Sequence, residues 1–394
     1  GYYRKTNGQW DNSFLKCSDC VDYFEEKGGT VRALFDVAGG QFDFKAKYSK
    51  LDSGAINFNA SIALSEAAQF YGAAFYEDPN DHQFAYINDV RPVNEQENKD
   101  FSLKGEWKLD VGTLTSYVAY NDQTNYFVTD GTSAAFQLYF PNGTNNAALA
   151  IKTCQDSFNA RSLDTPLNAP FNYGFGNGIN ASFLPPYSAT TCDGYQYQQR
   201  DQKDTSIEVR LASPGGEAVR WLGGLYYADI QRHVVVSQGS DLNQGFAAQA
   251  FVSSTGSNPT DLLYDDDFHS KVSAAFGQLA YDVAPGVEVA LALRYDSEKR
   301  DVDNNVPVCA PSATSGPCYA QTAGFSGGSN PYINPAYSTD PALATTGIPS
   351  RSKTYSQLQP KLSVNWKITN DFATYASYGY GFRSGGFNST GSAA

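Results

Sequence analysis

Apolar and polar residues alternate with a period of two along most regular segments of the chain. The clearest examples are residues 41–49, 101–110, 207–211, 287–296 and 361–368. Alternation of this kind predicts β-strands that have one apolar face and one polar face.

The strands are predicted to pair into five hairpins, each closed by a short turn. After a partial strand at the start, the pairs are 30–37 with 41–49, 98–109 with 112–126, 204–212 with 218–232, 268–283 with 287–300, and 353–368 with 372–385. The connections between hairpins are about 35 to 77 residues long, which is unusual in a compact domain and typical of functional loops.

Because short and long connections alternate, all the short turns lie at one end of the predicted sheet and all the long loops at the other. A transmembrane β-barrel of the outer membrane has this asymmetry, with a hydrated lumen that accepts charged side chains. Three of the four Trp residues, Trp107, Trp221 and Trp366, lie at the short-turn end, as an interfacial aromatic girdle predicts. A soluble β-sandwich or propeller is the alternative.

Composition narrows the class of protein further. The chain has 28 Lys and Arg against 41 Asp and Glu, a formal charge of −13, which argues against nucleic-acid binding. Apolar residues make up 41% of the chain, with 27 Tyr and 25 Phe, too many for a disordered segment. No apolar run reaches the length of a transmembrane helix.

All six Cys residues fall in the long connections and sort into pairs. The pairs are Cys17 with Cys20, Cys154 with Cys192, and Cys309 with Cys318. An even number in each loop predicts three disulfides within loops, although other connectivities stay open, and such bridges persist in the periplasm or at the cell surface. A redox or zinc motif at Cys17 and Cys20 is the weaker alternative, because no second ligand pair accompanies it.

Three linked stretches resemble the outer-membrane TonB-dependent receptors. They are DTSIEVRLASP at 204–214 with RWLGGLYY at 220–227; AFGQLAY at 275–281 with LRY at 293–295; and PKLS at 360–363 with YASY at 375–378 and GFRSGGFN at 381–388. The matches keep order and spacing over roughly residues 200–390, and residues 1–130 fit more loosely, so the chain is identified as a central portion of such a barrel.

The resemblance implies an all-β, antiparallel barrel of 22 strands, with short periplasmic turns and long extracellular loops, in the outer membrane of a Gram-negative bacterium. It further implies a plug domain, and a TonB complex that acts on the barrel through this plug. The imported nutrient would be a ferric siderophore, which we favour, or haem, cobalamin or an oligosaccharide. No cofactor and no enzymatic activity are expected, since no catalytic motif is present.

Residues 1–394 hold ten full predicted strands and a partial one, without a recognisable plug, TonB box or terminal strand. An open sheet would leave unpaired edges in lipid. We therefore expect a partial barrel domain from the middle of a longer polypeptide, or a second chain that supplies the remaining strands. A surface scaffold, which needs no plug, and a passive porin, which would conduct in planar bilayers, are the alternative functions.

Aromatic side chains in the two longest loops are the candidate ligand contacts, because aromatic faces suit sugars and the aryl groups of siderophores. These candidates are Tyr139, Phe140, Tyr173, Phe175, Tyr187, Tyr195 and Tyr332. Packing of the loops on themselves is an equally good explanation. The triplet Asp265–Asp267 is interpreted as a solvated loop end, with a Ca²⁺ site as the weaker alternative because no EF-hand spacing follows. His233 and His269 flank the same loop, but two His without a third ligand make a poor metal site. Strand parity points Arg383 into the lumen.

Overall fold

A computed structural model describes residues 1–12, 15–55, isolated positions between 65 and 86, and residues 90–130, 195–239, 249–253, 260–311, 316–319 and 332–387. Eleven antiparallel strands form one sheet in which every strand pairs with its neighbours in sequence. They are β1 (Tyr2–Thr6), β2 (Phe24–Val37), β3 (Gly40–Ser53), β4 (Val93–Leu109), β5 (Gly112–Asp130), β6 (Tyr195–Ala212), β7 (Val219–Gly239), β8 (Thr260–Ala284), β9 (Val287–Asn304), β10 (Arg351–Lys367) and β11 (Ala373–Gly379).

Two short helices, α1 (Pro335–Thr339) and α2 (Leu343–Thr346), lie in the connection between β9 and β10. Among the described residues, none of the helices is long and apolar enough to cross a membrane.

The five predicted hairpins and the partial first strand are confirmed. The first hairpin is closed by Ala38 and Gly39, which both have positive φ (51° and 77°), as the two-residue turn that matches strand twist requires. The alternation of short turns with long connections therefore holds along the whole sheet.

Strand ends differ from the prediction at the long-loop side. β6 begins at Tyr195 instead of 204, and β8 begins at Thr260 instead of 268. These extensions carry polar residues on both faces, so that no alternation marks them in the sequence. β11 ends at Gly379, short of the predicted 385, and the exposed Arg383 lies outside any strand, so the parity argument for its direction was wrong.

The register gives the sheet one continuous apolar face. Val118 lies between Leu103 and Ile207, and Leu291 lies between Leu279 and Leu362; these side chains are about 40–50% exposed. Trp107, Trp221 and Trp366 share this face at the short-turn end, where the predicted girdle places them. The residues in between project to the opposite face, which we call the polar face.

A hydrophobic core of buried residues lies beyond the membrane-length part of the sheet, at the long-loop end. This loop core comprises Val90, Val128, Tyr195, Tyr197, Val235, Leu263, Val306, Cys309, Cys318, Ile333, Ala336, Tyr337, Ala344 and Ile348. The loop core packs the extended ends of β5–β8 against the connection between β9 and β10. A backbone hydrogen bond links the same two parts, since the Leu263 amide donates to the Ile333 carbonyl at 2.8 Å.

Candidate functional site

A groove of about 560 Å³ lies at the long-loop end of β1, β2 and β3. It is lined by Arg4, Trp10, Val21, Asp22, Tyr23, Phe24, Glu26, Leu51, Ser53, Gly54, Ala55 and Tyr86. We call it the Trp10 groove. Its volume lies within the range of small-molecule sites, and its walls combine aromatic with charged residues.

The strand residues of the Trp10 groove project from the polar face. Arg4 pairs with Glu26, and Glu26 with Leu51, across the register of β1–β3. Glu26 and Leu51 have the same parity as Arg32 and Asp43, which form an ion pair of 2.8 Å on the polar face. The groove therefore opens toward the side that would be the lumen of a closed barrel.

Trp10 packs against two aromatic residues from a distant connection, Phe84 and Tyr86, of which Tyr86 also lines the groove. Its ring centroid lies 5.4 Å from that of Phe84 and 5.6 Å from that of Tyr86, with tilted planes. Trp10 itself is 37% exposed, so part of its ring is available to a ligand. The arrangement presents an aromatic wall against which a planar or apolar group can stack.

The loop that carries Trp10 is held by polar contacts and by a disulfide. The Asp22 carboxylate accepts the backbone amides of Gln9 at 2.9 Å and Trp10 at 3.1 Å. Gly8 has φ of 91°, and a Cβ there would lie 2.1 Å from the Asp22 carboxylate. The Cys17–Cys20 bridge closes the same loop. The position of Trp10 is thus fixed by local structure before any ligand binds.

Charged groups surround the aromatic wall. The Arg91 guanidinium lies 5.3 Å from the centroid of the Tyr23 ring, within cation–π range, and burial raises the pKa of Tyr23, so its hydroxyl stays protonated. Arg4 and Glu26 form an ion pair, and Tyr2 donates to Glu26 at 2.7 Å. The groove can therefore bind a ligand that combines aryl or apolar groups with anionic or hydrogen-bonding edges.

The polar face carries further charge pairs toward the short turns. Arg220 contacts Asp282 and Glu288 at 2.6 Å each, and Asn365 donates to Glu288 at 2.9 Å. This network links β7, β8, β9 and β10. A face of this polarity suits a hydrated lumen and not a lipid contact.

Two of the seven predicted ligand contacts, Tyr195 and Tyr332, lie within the described residues. Tyr195 is fully buried in the loop core and shares a 3.0 Å hydrogen bond with Thr260. Tyr332 stacks on Tyr319 at 5.1 Å and packs edge-on against Tyr337. Both lie in packed structure and apart from the Trp10 groove. The other five, Tyr139, Phe140, Tyr173, Phe175 and Tyr187, lie outside the described residues.

Two of the three predicted disulfides are present. Cys17 is bonded to Cys20, and Cys309 to Cys318. Cys154 and Cys192 lie outside the described residues, so their pairing stays a prediction.

The triplet Asp265–Asp267 does not form the predicted solvated loop end. All three residues belong to β8, and His233 contacts Asp265 at 3.1 Å while His269 contacts Asp229 at 2.8 Å. The interpretation failed because the long-loop extension of β8 has no apolar alternation. Within the described ranges, no group of three or more His, Cys, Asp or Glu could hold a metal ion.

Asp266 is buried within the strand extension with half of its carboxylate unsatisfied. Oδ1 accepts from Asn304 at 2.9 Å, whereas Oδ2 has no hydrogen-bond partner among the described residues. Burial, together with the charges of Asp265 and Asp267, raises the pKa of Asp266 to about 6. The pKa of Asp266 is thus higher in the folded state than in the unfolded state. The neutral carboxyl group contributes its full stability to the fold below about pH 4, and this contribution is lost as the pH rises through 6.

We expect Asp266→Asn to stabilise the long-loop end at neutral pH, by about 1–3 kcal/mol. The amide needs no proton to stay neutral, so the advantage should vanish near pH 4 and grow up to pH 7. Thermal denaturation of the detergent-solubilised protein at both pH values measures this. Asp303→Asn, on the exposed side of β9, is the control. An equal effect of Asp266→Asn at both pH values would contradict a raised pKa of Asp266 in the folded protein.

Sequence reasoning missed the residues that form the Trp10 groove. One available signal was that Trp10 is the single Trp away from the short-turn end, where the girdle explains the other three. Tyr23 and Tyr86 carried no comparable signal, because their proximity depends on contacts between distant parts of the chain.

A family model described as TonB dependent receptor-like, beta-barrel, matches residues 35–393. No curated protein matches the chain in sequence. The predicted antiparallel barrel fold is confirmed by this match and by the sheet; the total of 22 strands stays a prediction.

Three solved structures illustrate the similarity of fold. The ferric yersiniabactin uptake receptor FyuA from Yersinia pestis aligns with a TM-score of 0.54 and 11% identity, over 95% of this chain and 40% of its own. The unliganded ferric citrate transporter FecA (TM-score 0.50, 9% identity) aligns over 96% of this chain and 38% of its own. The ferric-catecholate import receptor Fiu from E. coli K12 also aligns with a TM-score of 0.50 and 9% identity, over 96% of this chain and 48% of its own. The chain thus spans less than half of each structure.

Proposed function

Because the chain belongs to the TonB-dependent receptor β-barrel family, we propose that it forms part of an outer-membrane receptor for active import of a scarce nutrient. Ferric siderophores are the favoured class. The Trp10 groove is the observation that carries the proposal, since it places an aromatic wall and charged groups on the polar face at the long-loop end.

In the proposed mechanism the long loops are extracellular and the Trp10 groove makes an early contact with the ligand. A plug domain outside this sequence closes the barrel, and the TonB complex moves the plug to admit the ligand. The residues described here bind and orient the ligand and need no catalytic centre. The names of FyuA, FecA and Fiu all refer to iron chelates, which favours the same class of ligand for this chain.

The function is tested with the full-length receptor, expressed in cells that lack their own siderophore receptors. Uptake of ⁵⁵Fe is measured with phenolate, catecholate, hydroxamate and citrate chelates, with and without a protonophore. The proposal requires uptake of at least one chelate that stops when the proton gradient collapses. Uptake that persists without the gradient would favour a passive porin. The absence of uptake for every chelate would overturn the proposed substrate class.

We expect Trp10→Ala to weaken binding of the transported chelate about 5- to 30-fold, because the variant loses an aromatic stacking surface. Equilibrium binding to intact cells expressing the full-length receptor measures the change. Trp366→Ala, at the short-turn end of the apolar face, removes the same side chain away from the groove and should leave the affinity unchanged. Equal losses in both variants would remove Trp10 from the site.

A further inference from the structure

Three cationic side chains meet on the polar face at the long-loop end of β9 and β10. Arg300 lies directly opposite Lys353 in the register, and Arg351 lies two residues from Lys353 on the same strand. All three have the strand parity of Glu288 and Asn365, which form a hydrogen bond on the polar face. We call Arg300, Arg351 and Lys353 the cation cluster.

The positive charge of the cation cluster is only partly compensated. Among the described residues, Glu298 is the one carboxylate that lies on the same face within two residues of the cluster or opposite it in the register, and it pairs with Arg300 at 2.6 Å. Arg351 and Lys353 form no ion pair within 4.0 Å in the described part of the chain. Three cations against one carboxylate leave a net charge of +2. Because like charges opposite each other destabilise a sheet, a bound anion would stabilise this part of it.

Other carboxylates nearby do not face the cluster. Asp301 and Asp303 alternate with Arg300 along β9, so they project to the opposite face of the sheet. Asp266 is on the polar face of β8, but it lies four residues beyond Ser270, the residue opposite Arg300, which is about 13 Å along the strand. It is also fully buried. The cluster therefore keeps its net positive charge, although the whole chain carries −13.

Segment 380–387, which follows β11, crosses the polar face beside the cation cluster. A Cβ on Gly385 would lie 2.7 Å from the hydroxyl oxygen of Tyr355, and a Cβ on Gly386 would lie 3.0 Å from Nη1 of Arg300. Since neither glycine has a side chain, the backbone of the segment can approach these two groups closely. This close approach gives a structural reason for the two adjacent glycines of the segment.

Backbone amides of the same segment are available next to the cluster. Among the described residues, the amides of Ser384, Gly385 and Gly386 donate no hydrogen bond. Arg383, which is exposed, adds a further positive charge to the segment. Backbone N–H groups beside guanidinium and ammonium groups are typical of sites that bind oxyanions.

We propose that the cation cluster and segment 380–387 bind a carboxylate or phosphate group of the imported ligand, so that the receptor selects anionic nutrients over neutral ones. Arg300 offers a planar fork and Lys353 a compact point charge to such an oxyanion. The bound anion also reduces the repulsion within the cluster. The inference rests on the proposed function, because the cluster and the Trp10 groove share the polar face at the long-loop end.

Chemical modification of Lys353 tests the anion site without an uptake assay. The full-length protein in detergent is acetylated with an amine-reactive ester, and the modified lysines are quantified by mass spectrometry. Citrate and pyrophosphate are the probes, each compared with NaCl of equal ionic strength. We expect both probes to slow the acetylation of Lys353 about 10-fold when about 90% of the sites are occupied. Lys361 is the internal control, since it is exposed on the same face of β10 and has no ion pair among the described residues.

Three outcomes of this experiment would overturn the proposal. The first is that neither probe protects Lys353, and the second is that Lys361 is protected equally, which would indicate screening of charge without a site. The third is that Lys353 is unreactive before any anion is added and stays so in every condition. A carboxylate of the plug would then occupy the cluster in place of the ligand.

The selection of anionic ligands is tested in the cells used for iron uptake. Binding of a ferric tris-catecholate, which is anionic, is compared with binding of a ferric tris-hydroxamate, which is neutral. In the double variant Arg351→Gln with Lys353→Gln we expect the anionic chelate to bind about 10- to 100-fold more weakly. The charge-preserving double variant, Arg351→Lys with Lys353→Arg, should bind it within a few-fold of the parent.

The two proposals can fail separately. If no iron chelate is taken up, the proposed substrate class fails, whereas the protection of Lys353 by citrate and pyrophosphate still supports the anion site. Uptake of the neutral chelate alone would support transport and overturn the selection of anionic ligands. Equal binding of the anionic chelate by the glutamine variant and the parent would overturn it as well.

Discussion

Gly112→Ala is expected to remove most of the assembled barrel from the outer membrane. Gly112 opens β5 directly after a two-residue turn and has φ of 146°, a value that L-residues with a side chain rarely adopt. A Cβ there would lie 2.0 Å from the carbonyl oxygen of Ala212 on β6. Because that neighbour is backbone, relief requires β5 and β6 to separate, at a cost of about 2–5 kcal/mol.

The fraction of folded full-length receptor is measured by its heat-dependent mobility in detergent gels. Gly215→Ala is the matched control, since it changes another short turn where a Cβ would meet nothing within 4 Å, and it should assemble like the parent. Normal assembly of Gly112→Ala would show that the β5–β6 contact relaxes at little cost.

The sequence predicts the sheet well only where the membrane dictates the pattern. In the membrane-length part of the sheet, next to the short turns, one face must be apolar, so alternation reveals each strand and the turn residues reveal each hairpin. Beyond that part both faces are polar or packed under loops, and the pattern disappears. For that reason the sequence predicts a loop at the first residues of β6 and β8, and it predicts a solvated Asp266 where the structure has a fully buried one.

The candidate site was less predictable for a different reason. The Trp10 groove joins Trp10, Tyr23 and Tyr86 through the first loop, the start of β2 and a long connection. The local sequence of these three segments does not predict that they contact each other. Local periodicity gives the face of a residue, but not its neighbours on other strands.

Tyr337→Ala is expected to open the loop core while the barrel stays assembled. Tyr337 is fully buried in α1, and its hydroxyl donates to the carbonyls of Val306 and Pro307 at 3.1 Å each. Burial raises its pKa to about 12, so the hydroxyl remains a donor at every pH used for the assay. Loss of the ring leaves a cavity and two unsatisfied carbonyls, a cost of about 3–5 kcal/mol.

Chymotrypsin digestion of intact cells reports the opening, because Tyr319 and Tyr332 in the same loop become cleavage sites once the core separates. Asn334 links α1 to the sheet by donating to the Leu263 carbonyl at 2.8 Å, so cleavage should be accompanied by faster hydrogen exchange at the start of β8. Tyr337→Phe keeps the ring and should cleave at an intermediate rate. Val308→Ala, at a 44% exposed position of the same loop, should resist cleavage like the parent. Resistance of Tyr337→Ala itself would mean that the loop is held by contacts other than this core.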